Sequence, residues 1–250
     1  MNFSGLSNKS RFGKMLRFPL RLIPRNAILP VMQGKLRGYK WVAGSSSHGC
    51  WLGSYEYEMQ QLISSVVKPG TVACDIGAHV GFYTLLFSKL VGPEGRVFAF
   101  EPFPRNFEFL RTHISINHIS NVELLEMAVS SKTGVTHFSP GATSSTGRIA
   151  EDGKLEIQQT SIDDLMDQGR LSAPHYVKID IEGAEYEALV GAQATLQEYH
   201  PMIFLSTHGR EIHQTCCDLL VELGYELCPL SGTDVSTTSE LIARWPQDSS

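Results

Sequence analysis

The chain has no apolar run near the ~18 residues that a membrane-spanning helix needs. Its basic N-terminus is interrupted by Pro19, Pro24 and Pro30. No continuous apolar stretch with a small-residue cleavage site follows, which argues against a secretory leader. Cysteine is sparse: Cys50, Cys74, Cys216, Cys217 and Cys228 are odd in number and form no CxxC spacing. That speaks against a disulfide framework or a thiolate zinc site and fits a reducing, cytoplasmic setting. Acid is missing from residues 1–55, which carry nine Lys or Arg. The other 195 residues set 12 basic side chains against all 26 acidic ones, a balance of −14 within a net charge of −5. A basic arm on an acidic body suits a membrane surface or an anionic substrate, and equally suits packing on its own acidic domain. There is no RNA-binding signature, and the acidic body disfavours phosphate contact, so nucleic acid is not an expected partner.

What is present, 250 residues of which 42% are hydrophobic and 19% charged, suits one globular α/β domain with an added N-terminal segment. The pattern changes near residue 55, dividing a basic N-terminal extension (1–55) from the main domain (56–250). Within the extension, two glycines flank alternating residues over 33–41, which points to a small strand pair. Beyond it, apolar runs alternate with helical periodicity. Strands are expected at 71–75, 96–100, 122–129, 135–138, 155–159, 176–181, 201–206, 225–227 and 240–244. Helices are expected at 56–67, 81–91, 105–117, 163–168, 184–199 and 211–223. Residues 139–153, rich in Ser, Thr and Gly, form the longest loop. Such alternation predicts a mostly parallel sheet with helices on both faces, its ligand at the carboxyl ends of the strands.

That edge holds a glycine turn, Asp75-Ile76-Gly77-Ala78-His79-Val80-Gly81. The spacing is GxxxG rather than the GxGxxG of dinucleotide sites, and Asp75 would repel a pyrophosphate at the helix start. S-adenosylmethionine carries an ammonium and a sulfonium and no phosphate, so an acid favours it over NAD. The next strand ends Phe100-Glu101-Pro102. Glu101 follows Gly77 by 24 residues, close to the ~20-residue offset of a ribose-binding acid. Met127 and Ala128, at the end of the third strand, are placed to lie against an adenine ring.

A second motif reads Val177-Lys178-Ile179-Asp180-Ile181-Glu182-Gly183-Ala184-Glu185, with Gly191-Ala192 beyond it. Together with the first turn, Phe100-Glu101-Pro102, Tyr55-Glu56 and the pairs Ala128-Val129 and Thr133-Gly134, it resembles the FkbM-type methyltransferase family. The likeness runs over about 52–225. It implies a Rossmann-like class I methyltransferase fold with a seven-stranded sheet, S-adenosylmethionine as cofactor and O-methylation of sugars, polyketides or related metabolites. His79 stands where the family commonly has asparagine, and Ser206 where it often has glutamate.

The expected cofactor contacts are Tyr55, Glu56, Asp75, Gly77, Ala78, His79, Gly81, Glu101, Pro102, Met127 and Ala128. Asp180, Glu182 and His208 are the catalytic candidates, since methyl transfer needs an aligned acceptor and a route for its proton. Lys178 is a partner for either acid. Glu182 and Glu185, three apart, are expected on one face of a helix's first turn, Glu185 as a dipole charge. A divalent metal on Asp180 and Glu182 is not favoured, because hard cations want further oxygen ligands that the sequence does not identify. His48 is read as part of a flexible stretch able to cover the site. His113, His118, His137 and His200 are read as surface or turn positions. The loop Ser144-Ser145-Thr146-Gly147-Arg148 is a candidate lid. The rival readings are an NAD-dependent oxidoreductase and a non-catalytic methyltransferase-like binding domain.

Overall fold

A computed structural model describes residues 19–139, 148–149, 153, 155–232 and 234–246. The N-terminal segment contributes β1 (Ile28–Pro30) and β2 (Lys40–Val42), paired antiparallel, then α1 (His48–Leu52), and α2 (Tyr57–Val66) comes after it. There follow β3 (Val72–Ile76), α3 (Phe82–Val91), β4 (Arg96–Phe100), α4 (Pro104–Ile116), β5 (Val122–Leu125) and β6 (Ala128–Val129). Next come β7 (Gly134–Ser139), β8 (Arg148–Ile149), β9 (Leu155–Thr160), α5 (Ile162–Asp167), β10 (Tyr176–Ile179), α6 (Glu185–Val190) and α7 (Gln193–Tyr199). The chain ends in β11 (Met202–Ser206), α8 (Arg210–Glu222), β12 (Glu226–Pro229) and β13 (Glu240–Arg244).

Seven strands form the main sheet in the order β12-β13-β11-β10-β3-β4-β5, and β13 alone runs against the others. Each central strand is buried on both faces, so its alternate residues feed two cores. Ala73, Val97, Tyr176 and Phe204 face α2, α3 and α4 on one side. Cys74, Phe98, Val177 and Leu205 face α5 to α8 on the other. Val31, Leu36 and Trp41 lie in the first of these cores, so the N-terminal hairpin packs directly on the sheet's helices. The five cysteines are free, and among the described residues no helix is long and apolar enough to cross a membrane.

Two expected elements are each broken in two. The strand expected at 122–129 stops at Leu125, where Met127 N–H donates back to the Leu125 carbonyl. The chain then turns into β6, which joins the separate sheet β6-β9-β7-β8. The helix expected at 184–199 breaks at Gly191-Ala192. A Cβ on Gly191 would meet the Ser130 carbonyl at 2.1 Å, so the backbones touch there. The new N-terminus of α7 is capped from a distance: Asp163 accepts from Ala194 N and Thr195 N. Residues 144–147 of the candidate lid lie outside the described residues.

Candidate active site

The carboxyl ends of β3, β4, β10 and β11 open into a cavity of about 340 Å³. Gly77 makes its floor possible. It has φ 84°, and a Cβ there would lie 2.0 Å from the Asp180 carbonyl oxygen, so only glycine lets the two strand ends approach. His79 N–H donates to Glu101 Oε2 at 2.8 Å, and Phe103 N–H donates to Oε1 at 2.9 Å. Glu101 thus ties the turn after β3 to the loop after β4. Burial still pushes its pKa up to about 7. A narrower apolar slot continues the cavity between Pro102, Met127, Ala128, Phe138 and Ile181.

Of the expected cofactor residues, Tyr55, Glu56, Gly77, His79, Glu101 and Pro102 line the cavity, and Met127 and Ala128 line the slot. Asp75, Ala78 and Gly81 do not line either. Asp75 is the register neighbour of Lys178 on the adjoining strand, and both point into the core beneath α3. Its Oδ2 accepts from Thr84 Oγ1 at 2.6 Å, while Oδ1 is buried and meets no donor among the described residues. Burial raises its pKa. Ala78 is buried in the turn, and Gly81 closes against Leu110 to start α3.

The three catalytic candidates converge. Lys178, only 2% exposed, donates to Asp180 Oδ2 at 3.0 Å and lies 4.6 Å from the centre of the Tyr83 ring. Burial works against the Asp180 charge, but the ammonium outweighs it and holds the carboxyl below its ordinary pKa. His208 Nε2 lies 3.8 Å from Asp180 Oδ1 and 3.7 Å from Glu182 Oε2. Its Nδ1 lies 2.7 Å from Glu185 Oε1. Hydrogen bonding to Glu185 raises the imidazole pKa against the effect of burial. Burial raises Glu182, and burial with the nearby Glu56 and Asp180 charges raises Glu240.

Backbone strain gathers at the same place. Glu56, His79 and Glu182 hold φ values of 40°, 51° and 55°, and all three line the cavity. Among the described residues the other two non-glycine residues of this kind, His118 and His200, follow helix ends, as their turn reading expected. Left-handed backbone costs on the order of 1–3 kcal/mol per residue and persists where the surroundings enforce it, which is common at functional sites.

Several expectations about side chains are corrected. Glu182 and Glu185 share no helical face, because Glu182 and Gly183 are both left-handed and α6 starts only at Glu185. Glu185 does open α6, where a helix-dipole charge belongs, but it is also fully buried and bonded to His208 and to Gly183 N–H. His113 is no surface residue: it is fully buried, against Trp41. His48 sits in α1, where it accepts from Trp51 Nε1, and is absent from the cavity wall. The sequence reading also missed Asn106, Ser206, Thr207, Ser239 and Glu240 as lining residues. No local signal marks the last two, which arrive through the antiparallel pairing of β13 with β11. Among the described residues no group of three or more His, Cys, Asp or Glu is disposed to hold a metal ion.

Comparison with known proteins identifies the family and the fold. The family described as Methyltransferase FkbM domain matches residues 75–227. The chain is 31% identical over 150 residues to the hexuronic acid methyltransferase AglP of Haloferax volcanii, covering 59% of this chain and 61% of that protein. It is 24% identical over 208 residues to the 2-O-methyltransferase NoeI of Sinorhizobium fredii, covering 75% and 80%. The aligned region thus spans about three fifths of the first relative. Among solved structures, a methyltransferase FkbM from Methylobacillus flagellatus KT shares the fold, with a TM-score of 0.52 at 18% identity over 74% of this chain and 50% of that one. With a seven-stranded sheet of this order and a family match over more than half its length, the chain belongs to the FkbM family of methyltransferases.

Proposed function

We propose that the chain transfers a methyl group from S-adenosylmethionine to a hydroxyl of a sugar, glycan or secondary metabolite. The observation that carries this reading is the charge of the cavity. Glu56, Glu101, Asp180, Glu182 and Glu240 line it, and among the described residues no Lys or Arg does. Carboxylates crowded around one space oppose a pyrophosphate and favour a ligand bearing a sulfonium and an ammonium.

The residues fit that methyl donor in parts. Glu101, after the second strand of the parallel set, suits the ribose hydroxyls. The slot between Met127, Phe138 and Ile181 suits the adenine ring. Tyr55, Glu56, Gly77 and His79 are left for the amino-acid end. When bound, the donor supplies an electrophilic methyl whose C–S bond breaks with its electron pair passing to sulfur. The protein has to align the acceptor oxygen with that methyl and remove its proton. His208 Nε2 takes the proton as the oxygen bonds to the methyl carbon. Asp180, kept ionised by Lys178, and Glu182 accept hydrogen bonds from the acceptor. Two relatives support an oxygen acceptor, one named for a hexuronic acid and one for 2-O-methylation.

Isothermal titration with S-adenosylmethionine and with NAD tests the cofactor. Methyl transfer from labelled donor to a panel of glycosides tests the acceptor. Tight NAD binding without any affinity for the methyl donor would overturn the reading in favour of an oxidoreductase.

A further inference from the structure

Glu185 is a carboxylate with 0% exposure, and among the described residues no Lys or Arg pairs with it. Its Oε1 accepts from Gly183 N–H at 3.1 Å and faces His208 Nδ1 at 2.7 Å. Its Oε2 is buried and meets no donor among the described residues. A buried carboxylate with one oxygen unmatched is costly, and an apolar side chain of similar size would serve folding better. The cost therefore calls for a role outside folding.

The geometry identifies one. We propose that Glu185 is a positioning residue that holds the His208 imidazole as its Nδ1–H tautomer and turns Nε2 toward the acceptor hydroxyl. This rests on the methyl-transfer reading above. A neutral imidazole donates from one nitrogen and accepts at the other, so a carboxylate fixed at Nδ1 reserves Nε2 as the acceptor. Nε2 is the nitrogen nearer Asp180 and Glu182, both cavity residues, at distances too long for direct hydrogen bonds. The same Glu185 oxygen holds Gly183 N–H, which fixes the left-handed turn that presents Glu182. One buried carboxylate thus sets two cavity groups that come from different strand ends.

The groups that face the imidazole are Glu185 from α6 and Asp180 and Glu182 from the loop after β10. Removing the Glu185 charge while keeping its shape separates the positioning role from bulk. In Glu185→Gln, kcat should fall about 10²-fold or more, the contribution typical of a placed general base. KM and affinity for S-adenosylmethionine should hold, and the acid limb of the pH profile should move to lower pH. Glu185→Asp should recover part of kcat. Nitrogen chemical shifts of His208 give a readout that needs no acceptor: Nδ1–H in neutral wild type, and a lowered imidazole pKa in Glu185→Gln. A wild-type Nε2–H tautomer, an unchanged His208 titration in Glu185→Gln, or a loss of melting temperature alone with kcat intact would overturn the proposal. If wild type methylates no hydroxyl acceptor, the functional reading fails, and the His208 shifts still decide whether Glu185 positions the ring.

Discussion

The His113 imidazole lies flat against the Trp41 indole, with ring centroids 3.9 Å apart and planes 15° from parallel. Val42 N–H donates to its Nε2 at 3.0 Å, and its Nδ1–H donates to the Val80 carbonyl at 2.7 Å. The ring is therefore committed to the neutral form while it pins the N-terminal hairpin to α4 and to the glycine turn.

A pH dependence follows. Burial lowers the His113 pKa from 6.5 to about 4. Between those values the unfolded chain binds the proton and the folded chain does not. The stabilisation is complete above pH 6.5 and is lost as pH falls through about 4. Each such proton changes stability by up to about 1.4 kcal/mol per pH unit. Urea unfolding across this window should give wild type a steeper rise of stability with pH than His113→Gln, by up to one proton. Equal slopes would mean that His113 titrates normally.

The contact beneath Gly77 predicts a severe substitution. In Gly77→Ala the new Cβ would meet the Asp180 carbonyl at 2.0 Å and Ile181 Cγ2 at 2.8 Å, at a φ of 84°. The conformational cost is roughly 1–2 kcal/mol, and overpacking adds about 1–3 kcal/mol. Gly70→Ala, with φ 78° and nothing within 4 Å, isolates the conformational part. Denaturant midpoints should put Gly77→Ala well below Gly70→Ala, and only the former should lose methyl-donor binding.

How much of this is legible in the sequence depends on the range of the contact. The strands ending at Ile76, Phe100, Ile179 and Ser206 are buried on both faces, so they read as apolar runs, and the acids that follow two of them, Glu101 and Asp180, read as a ligand edge. The breaks after Leu125 and Val190 do not read, because the apolar pattern resumes beyond Glu126 and beyond Gly191, while the far sides pair with β9 and touch the Ser130 backbone, respectively. Asp75 reads as a cofactor acid from its place before Gly77. Its true direction is set by pairing with Lys178, more than a hundred residues on. The burial of Glu185 and of His113 does not read for the same reason: a helix-terminal acid and a helical histidine carry no local sign that His208 and Trp41 pack against them.

Strain at Glu182 gives a substitution that should separate stability from activity. Replacing a left-handed non-glycine residue by glycine relieves about 1–2 kcal/mol and costs roughly 0.5–1 kcal/mol in chain entropy. It also removes a carboxylate that burial and its neighbours Asp180 and Glu185 keep at a raised pKa. Glu182→Gly should melt at or slightly above the wild-type temperature and transfer methyl groups more slowly. A marked drop in melting temperature would show that the side chain holds the turn.

Glu101 should make methyl-donor binding depend on pH. Burial lifts its pKa from 4.5 to about 7, with the Asp75 charge adding to the shift and the Phe103 and His79 N–H donors opposing it. The folded chain then holds a proton between 4.5 and about 7 that the unfolded chain has lost, so this residue lowers stability as pH rises through that window, opposite in sign to His113. Ribose hydroxyls donating to Glu101 favour its ionised form. Affinity for S-adenosylmethionine should climb as pH approaches about 7 and then level, with release of a proton that makes the binding enthalpy depend on the buffer. Glu101→Gln should flatten both responses. It should weaken binding roughly tenfold or more, since a hydrogen bond to a charged group is worth about 1.5–3 kcal/mol. It should also be the more stable protein above neutral pH. Titration calorimetry in two buffers at several pH values, with urea unfolding alongside, measures all three effects. A variant that binds as tightly as wild type at every pH would remove Glu101 from the cofactor site.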